Sequence, residues 1–204
     1  PVPNSYRGES SNKSITYLWD NTLTYMDTFN DKHNVNVMIG SSAQNNVYNY
    51  MSASIKEFLS DDYSQLNNGL LDPTVGGSKN EWALLSFFGR ANYSYDNKYL
   101  FTATVRRDGT SRIAKNNRWG TFPSFSAAWR ISEESFFKKS DLLSDLKVRV
   151  GYGVTGNQAV LDNYANITRL KTGQYVFAGT PVATLYPLVM ASPDIKWETS
   201  KYRT

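Results

Sequence analysis

Three runs of alternating apolar and polar residues between positions 87 and 131 limit what this chain can fold into. Successive side chains of a β-strand point to opposite faces, so each run predicts a strand with one apolar and one polar face. The apolar face is either packed on a soluble core or turned toward lipid, with the polar face lining a water-filled lumen. The function of the protein depends on whether the apolar face contacts a soluble core or lipid.

The composition favours a folded β-protein and excludes cysteine chemistry. Of the 204 residues, 40% are hydrophobic and 14% aromatic, which is enough apolar surface for folding. The 14 tyrosines favour strands and suit membrane interfaces, where a ring has one apolar and one wet end. The absence of cysteine excludes disulfides, thiolate metal sites and cysteine nucleophiles from this chain.

No apolar run approaches the ~20 residues that a membrane-spanning helix needs, but a spanning strand needs only about ten. The net charge of +4 comes from dispersed basic residues without a glycine-aromatic RNA motif, so nucleic acid is not an expected partner. The first residues lack the pattern of a secretory signal, and residues 197–204 resemble the beginning of a strand. We therefore expect a segment of a longer protein.

The periodicity predicts about seven strands, the last one incomplete. Tight polar turns at residues 30–32 and 96–98 join two pairs of strands into hairpins. Longer connections are predicted at residues 45–80, with a short helical pattern over 50–59, at 108–121 and at 156–195, and a moderate one at 132–145. The predicted strands are 16–29, 33–44, 82–95, 99–107, a run ending near Ile131, 146–155 and 197–204.

The connections alternate in length along the chain, which places the long ones at one end of the predicted sheet. Outer-membrane barrels have this asymmetry, with short periplasmic turns and longer extracellular loops. Bacterial single-chain barrels have an even number of strands, from about eight upward. The sequence therefore predicts an all-β fold: an antiparallel transmembrane β-barrel segment with long extracellular loops.

Several motifs, in order over residues 82–204, resemble the SusC/RagA family of TonB-dependent outer-membrane transporters. Ile113-Ala114 is a departure, since the family commonly has Phe-Gly there. The motifs are LSFFGR (85–90), NY (92–93), DNKY (96–99), RDGTSR (107–112), NRWGTFPS (117–124), AWR (128–130), SEE (132–134), VTGNQ (154–158) and WE (197–198).

The resemblance implies an outer-membrane location and a plugged barrel of about 22 strands. It implies import of glycans or peptides energised by TonB, with a SusD-like surface lipoprotein acting as a lid. No plug domain or TonB-contacting segment is recognisable in this chain, so residues 1–204 are expected to be a partial barrel wall. Such a protein is not an enzyme, and we expect no cofactor and no metal.

Four arginines, one on each of four successive predicted strands, share the polar face. Arginine presents a rigid fork of donors to carboxylates, so the set could contact a plug or an anionic solute. The alternative is a wet barrel wall whose charges pair with neighbouring carboxylates. Plug contact is favoured over substrate contact for the two nearest the short-turn end, Arg130 and Arg149. The full set is Arg90, Arg106, Arg130 and Arg149.

Aromatic residues suggest two further roles. Tyr93, Tyr95 and Tyr99 cluster at the second tight turn on the apolar face, which predicts a periplasmic aromatic girdle or ordinary cross-strand pairing. Aromatics in the predicted loops either stack on sugar rings or pack the loops together. The loop candidates are Tyr48, Tyr50, Tyr63, Trp119, Tyr164, Tyr175 and Phe177.

Catalytic and metal sites have little support. His33 is the only histidine, so a His-dependent triad or metal site would depend on it alone. The adjacent pairs Asp61-Asp62 and Glu133-Glu134 do not face each other across a substrate as a glycosidase requires. The leading hypothesis is a transporter segment, and the alternative is a soluble β-sandwich carbohydrate-binding module.

Solubility separates the two hypotheses. A barrel segment exposes its apolar face to water when detergent is removed, so we expect the isolated 204-residue chain to aggregate. Size-exclusion chromatography of refolded chain with and without detergent tests this. A folded monomer in detergent-free buffer contradicts the barrel hypothesis.

Overall fold

A computed structural model describes residues 2–60, 62, 65–138, 140–141 and 143–204. These residues form nine strands and two short 3₁₀ segments, Leu66–Asn68 and Ile131–Glu133. The strands are β1 (Val2–Phe29), β2 (His33–Phe58), β3 (Leu71–Tyr95), β4 (Tyr99–Thr110), β5 (Trp119–Arg130), β6 (Lys147–Asn157), β7 (Arg169–Phe177), β8 (Thr180–Val189) and β9 (Glu198–Arg203).

Seven strands form one sheet in the order β1-β2-β3-β4-β5-β6-β9, and β7 and β8 form a separate hairpin. The pairings from β3 to β9 are antiparallel. The order follows the chain except where the hairpin is inserted between β6 and β9. This nearest-neighbour order confirms the predicted all-β antiparallel wall.

Tight turns over residues 30–32 and 96–98 fix the register of the first two hairpins. Asn30 and Asp31 in one turn, and Asp96 and Asn97 in the other, all have positive φ, between 49° and 57°. A type I′ turn requires positive φ at both central residues, and asparagine and aspartate tolerate it better than other non-glycine residues. The predicted turns are therefore confirmed, and both lie at the same end of the sheet, since the Asp96 amide donates to the Lys32 carbonyl.

The first three strands are much longer than predicted. The stretch 45–80 is not one long irregular loop, since β2 continues to Phe58 and β3 begins at Leu71. The helical pattern over residues 50–59 was wrong, because residues 50–58 are strand. Both faces of this stretch carry polar residues, so it lacks the alternation by which half-buried strands are recognised.

Two other connections also differ from the prediction. Residues 156–195 are not wholly irregular, because they contain β7 and β8 joined at Ala178 and Gly179, both with positive φ. The prediction that all longer connections lie at one end of the sheet was wrong in detail. The connection 131–146, at the end with the tight turns, is longer than the connection 111–118 at the opposite end. The connection after β5 begins with the 3₁₀ segment Ile131–Glu133.

The chain divides into two compact units. The first comprises Pro1–Tyr17 and Asn45–Trp82, and the second comprises Leu18–Gln44 and Ala83–Thr204. In the first unit, the Asn46 side chain donates to the hydroxyls of Ser14 and Thr16, at 3.0 and 2.8 Å. The second unit contains strands β4 to β9, the four predicted arginines and the predicted cluster of Tyr93, Tyr95 and Tyr99.

The second unit has a polar face and an apolar face, and the apolar face is exposed. The register places Thr102 opposite Ser126, which lies opposite Gly151, whereas Phe101 lies opposite Ala127. The apolar face leaves Phe101 and Phe125 about half exposed. Among the described residues, the buried apolar side chains of this unit are Ile113 and Phe122.

The two faces can be distinguished experimentally at adjacent positions on β4. In the full-length protein in liposomes, we expect a bimane fluorophore at Val105→Cys to be quenched by lipids carrying a nitroxide on the acyl chain. Thr104→Cys, one residue away, points to the opposite face and should be shielded from the same lipids. Equal quenching at both positions would contradict a lipid-facing apolar surface.

Candidate functional site on the polar face

Arg106 is the centre of a polar network on the polar face. Its Nε donates to both carboxylate oxygens of Asp108, at 2.8 and 2.9 Å, and its Nη2 donates to the Ser86 hydroxyl at 2.8 Å. Its guanidinium also lies 5.4 Å from the centre of the Phe88 ring. Because Asp108 and Ser86 are buried, this ion pair is a fixed part of the wall.

The other three predicted arginines differ in their surroundings. Arg130 lies 3.5 Å from both the Glu133 carboxylate and the Asn97 carbonyl. Arg90, opposite Thr104, and Arg149, opposite Ala128, are exposed. Within the described part of the chain, neither Arg90 nor Arg149 makes an ion pair. The four therefore share a face without forming one cluster.

A buried loop base, which the sequence did not predict, lies at the ends of β4 and β5. We define it as Thr110, Arg112, Ile113, Phe122 and Trp197. The Thr110 hydroxyl donates to the Gln158 side chain at 2.8 Å. Arg112 donates to the side chain of Asn163 at 2.8 Å and to the Gln158 carbonyl at 3.1 Å. Ile113, the departure from the family pattern, is completely buried here.

Phe122, a member of the loop base, packs against two glycines of the sheet. Its ring occupies the space that a Cβ atom would take at Gly120 and Gly156. The Trp197 ring meets it edge-on at 5.2 Å, and the Trp197 indole donates to the Arg118 carbonyl at 2.9 Å. Burial of the Arg112 guanidinium lowers its pKa from the ordinary value. The base therefore holds the ends of the 158–197 connection against the wall.

The predicted loop aromatics lie in different kinds of structure. Tyr48 and Tyr50 were wrongly placed in a loop, since both lie on β2. Trp119 is the first residue of β5 and lies on the apolar face, where it stacks on Phe87 at 6.2 Å. Tyr164 is half-buried in the 158–168 loop, and Tyr63 lies outside the described residues. Tyr175 and Phe177 are exposed on β7.

The predicted tyrosine cluster is part of a longer aromatic row on the apolar face. Tyr99 stacks between Tyr95 and Trp129, with ring centres 6.4 Å apart in both pairs. Tyr93 lies beside Phe101 at 6.3 Å, and its hydroxyl lies 2.8 Å from Nδ1 of His33. His33 and Trp129 were missed because cross-strand neighbours are visible only once the register is known.

Glu134, in the connection after β5, holds this row in place. Its Oε1 accepts hydrogen bonds from the Tyr99 hydroxyl at 2.7 Å and from the Trp129 indole at 3.0 Å. These two hydrogen bonds lower the pKa of Glu134 below its ordinary value. Lys98, 3.9 Å from the other carboxylate oxygen, acts in the same direction.

The described residues contain no group of three or more His, Cys, Asp or Glu side chains that could hold a metal ion. The described part of the chain also contains no helix that is long and apolar enough to cross a membrane.

Comparison with known proteins decides the family. The model of the family "TonB dependent receptor-like, beta-barrel" matches residues 2–203. The chain belongs to this family. Its members are outer-membrane β-barrel proteins, so the exposed apolar face is of the kind that such a protein turns toward lipid. The alternative of a soluble β-sandwich is not supported.

The relatives include TonB-dependent receptors of marine and gut bacteria. The chain is 37% identical to TonB-dependent receptor P39 of Formosa agariphila over 193 residues, 93% of this chain and 18% of the relative. It is 44% identical to TonB-dependent receptor SusC of Bacteroides thetaiotaomicron over 133 residues, 63% of this chain and 13% of the relative. The resemblance to the SusC/RagA group is thereby confirmed.

A solved structure of the RagAB peptide transporter has the same fold. The two superpose with a TM-score of 0.85 at 28% identity, covering 96% of this chain and 22% of that chain. The RagAB peptide importer in its "closed-closed" state gives a TM-score of 0.86. The chain therefore spans about a fifth of the length of the proteins that it matches.

The Glu134 contacts predict a pH-dependent stability. A carboxyl whose pKa is lowered in the folded state stabilises it above the ordinary glutamate value of 4.5, and that contribution disappears as pH falls through the lower, folded value. We expect Glu134→Gln to lower the Tm of the detergent-solubilised barrel at pH 6, with the difference from wild type disappearing at low pH.

The matched control for this experiment is Glu133→Gln, since Glu133 is the neighbouring carboxylate and accepts a hydrogen bond from Arg130. Thermal unfolding followed by tryptophan fluorescence at several pH values gives the comparison. A wild-type minus Glu134→Gln difference that stays constant with pH would rule out a role for the charge of Glu134.

Proposed function

We propose that residues 1–204 are a wall section of a plugged outer-membrane barrel that imports oligomeric nutrients with energy from TonB. The family match over residues 2–203 carries this proposal. The two-faced sheet supports it, because a transport barrel needs an apolar outer surface and a polar lumen. In this proposal the wall works by lining the lumen and capturing solute, without bond chemistry and without a cofactor.

Two aromatic levels on the apolar face are consistent with the thickness of a membrane. One level is the row of Tyr95, Tyr99 and Trp129, and the other is the stacked pair of Phe87 and Trp119. Trp119 and Trp129 of β5 are ten positions apart. That is ~33 Å along a strand and ~25 Å vertically at the usual tilt of about 40°. The apolar band of outer-membrane barrels is ≈ 25 Å tall and is flanked by aromatic girdles at both sides.

This arrangement supports an orientation. The tyrosine row lies at the tight-turn end, which in outer-membrane barrels is periplasmic. The loop base and the β7–β8 hairpin then lie at the extracellular end, above the lumen mouth. A SusD-like lipoprotein would close over that end, and TonB would act through parts of the longer protein outside this chain. Glycans and peptides are both candidate cargoes.

The arginines divide into two proposed roles. Arg106 and Arg130 have carboxylate partners within the wall, so they stabilise it. Arg90 and Arg149 are exposed on the polar face, and we assign contact with the plug or an anionic solute to them. Tyr164 and Tyr175, in the second unit, remain candidates for cargo contact at the extracellular end. Tyr48 and Tyr50, on β2 in the first unit, remain separate candidates for cargo contact. Trp119 is a weaker candidate, because its ring lies on the apolar face.

Deletion of the gene tests the function. We expect the deletion strain to lose uptake of fluorescent oligosaccharides or oligopeptides that are too large to pass through ordinary porins. In the wild type, we expect uptake to stop when a protonophore removes the energy source. A surface lipoprotein should co-purify with the tagged full-length protein. Unchanged uptake of both cargo classes in the deletion strain would refute the proposal.

Point variants test the arginine roles in the same assay. Arg90→Gln and Arg149→Gln should each reduce uptake by up to about fivefold, since an exposed ion pair is worth roughly 0.2–1 kcal/mol. Lys115→Gln is a charge-matched control in an exposed loop. If both arginine variants take up cargo at the wild-type rate, Arg90 and Arg149 do not contact the plug or the solute and only line the lumen wall.

A further inference from the structure

Arg107 is a cation on the apolar face of the sheet. It lies on β4 in phase with Phe101 and Val105, on the face opposite to that of Arg106. Its guanidinium lies 5.6 Å from the centre of the Trp119 ring, and the register places it opposite Phe87. Among the described residues it has no carboxylate partner. A charge on a lipid-facing surface needs a counter-charge or water.

An apolar groove of about 680 Å³ runs from Arg107 along the same face. Leu23, Ile39 and Val105 line it, together with the Phe87 ring and Gly89, and Asn21 and Ser41 add polar groups to the lining. Gly89 lies opposite Val105 and forms part of the floor. A Cβ atom at Gly89 would meet only ordinary contacts, 3.9 Å from Ile39 and 3.7 Å from the Met38 carbonyl. A larger side chain at Gly89 would therefore extend into the groove.

The position of the groove suits an amphiphile. Arg107 lies at the level of Phe87 and Trp119, eight residues along β4 from Tyr99 in the opposite aromatic row. Eight residues span ~27 Å of strand, or ~21 Å vertically at a tilt of about 40°, which places Arg107 in the outermost part of the ≈ 25 Å apolar band, where its guanidinium meets Trp119. The groove next to it then lies within the hydrocarbon region. A cation at the boundary and an apolar channel within the band match a phosphate headgroup and its acyl chain.

We propose that this groove binds one anionic, phosphate-bearing lipid of the outer leaflet, with its phosphate on Arg107 and one acyl chain along Gly89. The proposal rests on the proposed membrane placement of the apolar face. Two features favour a lipid in this groove. Arg107 is complementary in charge to a phosphate, and the groove is part of the surface that faces the bilayer. Arginine binds phosphate through paired hydrogen bonds, and the Trp119 ring holds the guanidinium flat.

Native mass spectrometry of the detergent-solubilised full-length protein tests the site. The probes are phosphatidylglycerol, whose headgroup is anionic, and phosphatidylcholine, whose headgroup is zwitterionic. We expect wild type to retain one phosphatidylglycerol in preference to phosphatidylcholine. Arg107→Gln should reduce retention of phosphatidylglycerol about fivefold, in the range of an exposed ion pair, while Arg107→Lys keeps most of it.

Two further variants separate the parts of the site. Gly89→Leu fills the groove and should reduce retention of both lipids, because it removes the place of the acyl chain and leaves Arg107 intact. Lys115→Gln removes a positive charge from an exposed loop and should bind as wild type does. Heat-modifiable migration on gels shows which variants are folded, and only those are compared.

The outcomes decide between occupants. Equal retention of phosphatidylglycerol by wild type, Arg107→Gln and Gly89→Leu overturns the proposal. It is also overturned if these variants dissociate a dimer without changing bound lipid, which would assign the groove to a second copy of the protein. Retained lipid selectivity in a protein that fails the uptake assay would refute the proposed import function and leave the lipid site standing.

Discussion

The two-residue period of the strands, kept in register across the sheet, is the constraint on which the rest of this structure depends. Antiparallel pairing places Thr102 beside Ser126 and Phe101 beside Ala127, so each face keeps one chemical character from strand to strand. A shift of one residue in any pairing would exchange the faces. The type I′ turns at Asn30-Asp31 and Asp96-Asn97 hold this register at one end of the sheet.

The packed interior of the second unit lies on the polar face, at the extracellular end in the proposed orientation. There the loop base buries Ile113 and Phe122, and Arg106 is fixed by Asp108 and Ser86. The Arg106 side chain is 42% exposed, so these hydrogen bonds are worth less than the roughly 1.5–3 kcal/mol of charge-assisted hydrogen bonds. The wall thus has a rigid upper end that holds the long 158–197 connection. The β7–β8 hairpin, whose side chains are exposed, extends from that fixed base.

Strands with one apolar and one polar face were predictable, and strands with two polar faces were not. Residues 99–107 alternate clearly, and the structure has β4 there. The extensions of β2 and β3 into the first unit contain serine, asparagine and glycine on both faces. Their strands are held by backbone pairing and by polar side-chain contacts such as that of Lys56 with Asp72, which leave no apolar alternation in the sequence. The hairpin of β7 and β8 was missed for a related reason, since neither strand packs one face on a core.

For the candidate site, the sequence by itself determined which residues share a face, because phase along a strand follows from counting. It also determined the tight turns and, through its motifs, the family. Only the tertiary structure decided which arginines are paired, which rings stack and where a groove opens. Arg106 and Ser86, Glu134 and Tyr99, and Gly89 and Ile39 lie far apart in sequence. Their contacts depend on inter-strand register and on how the connections fold back, and neither is encoded in any single stretch of the chain.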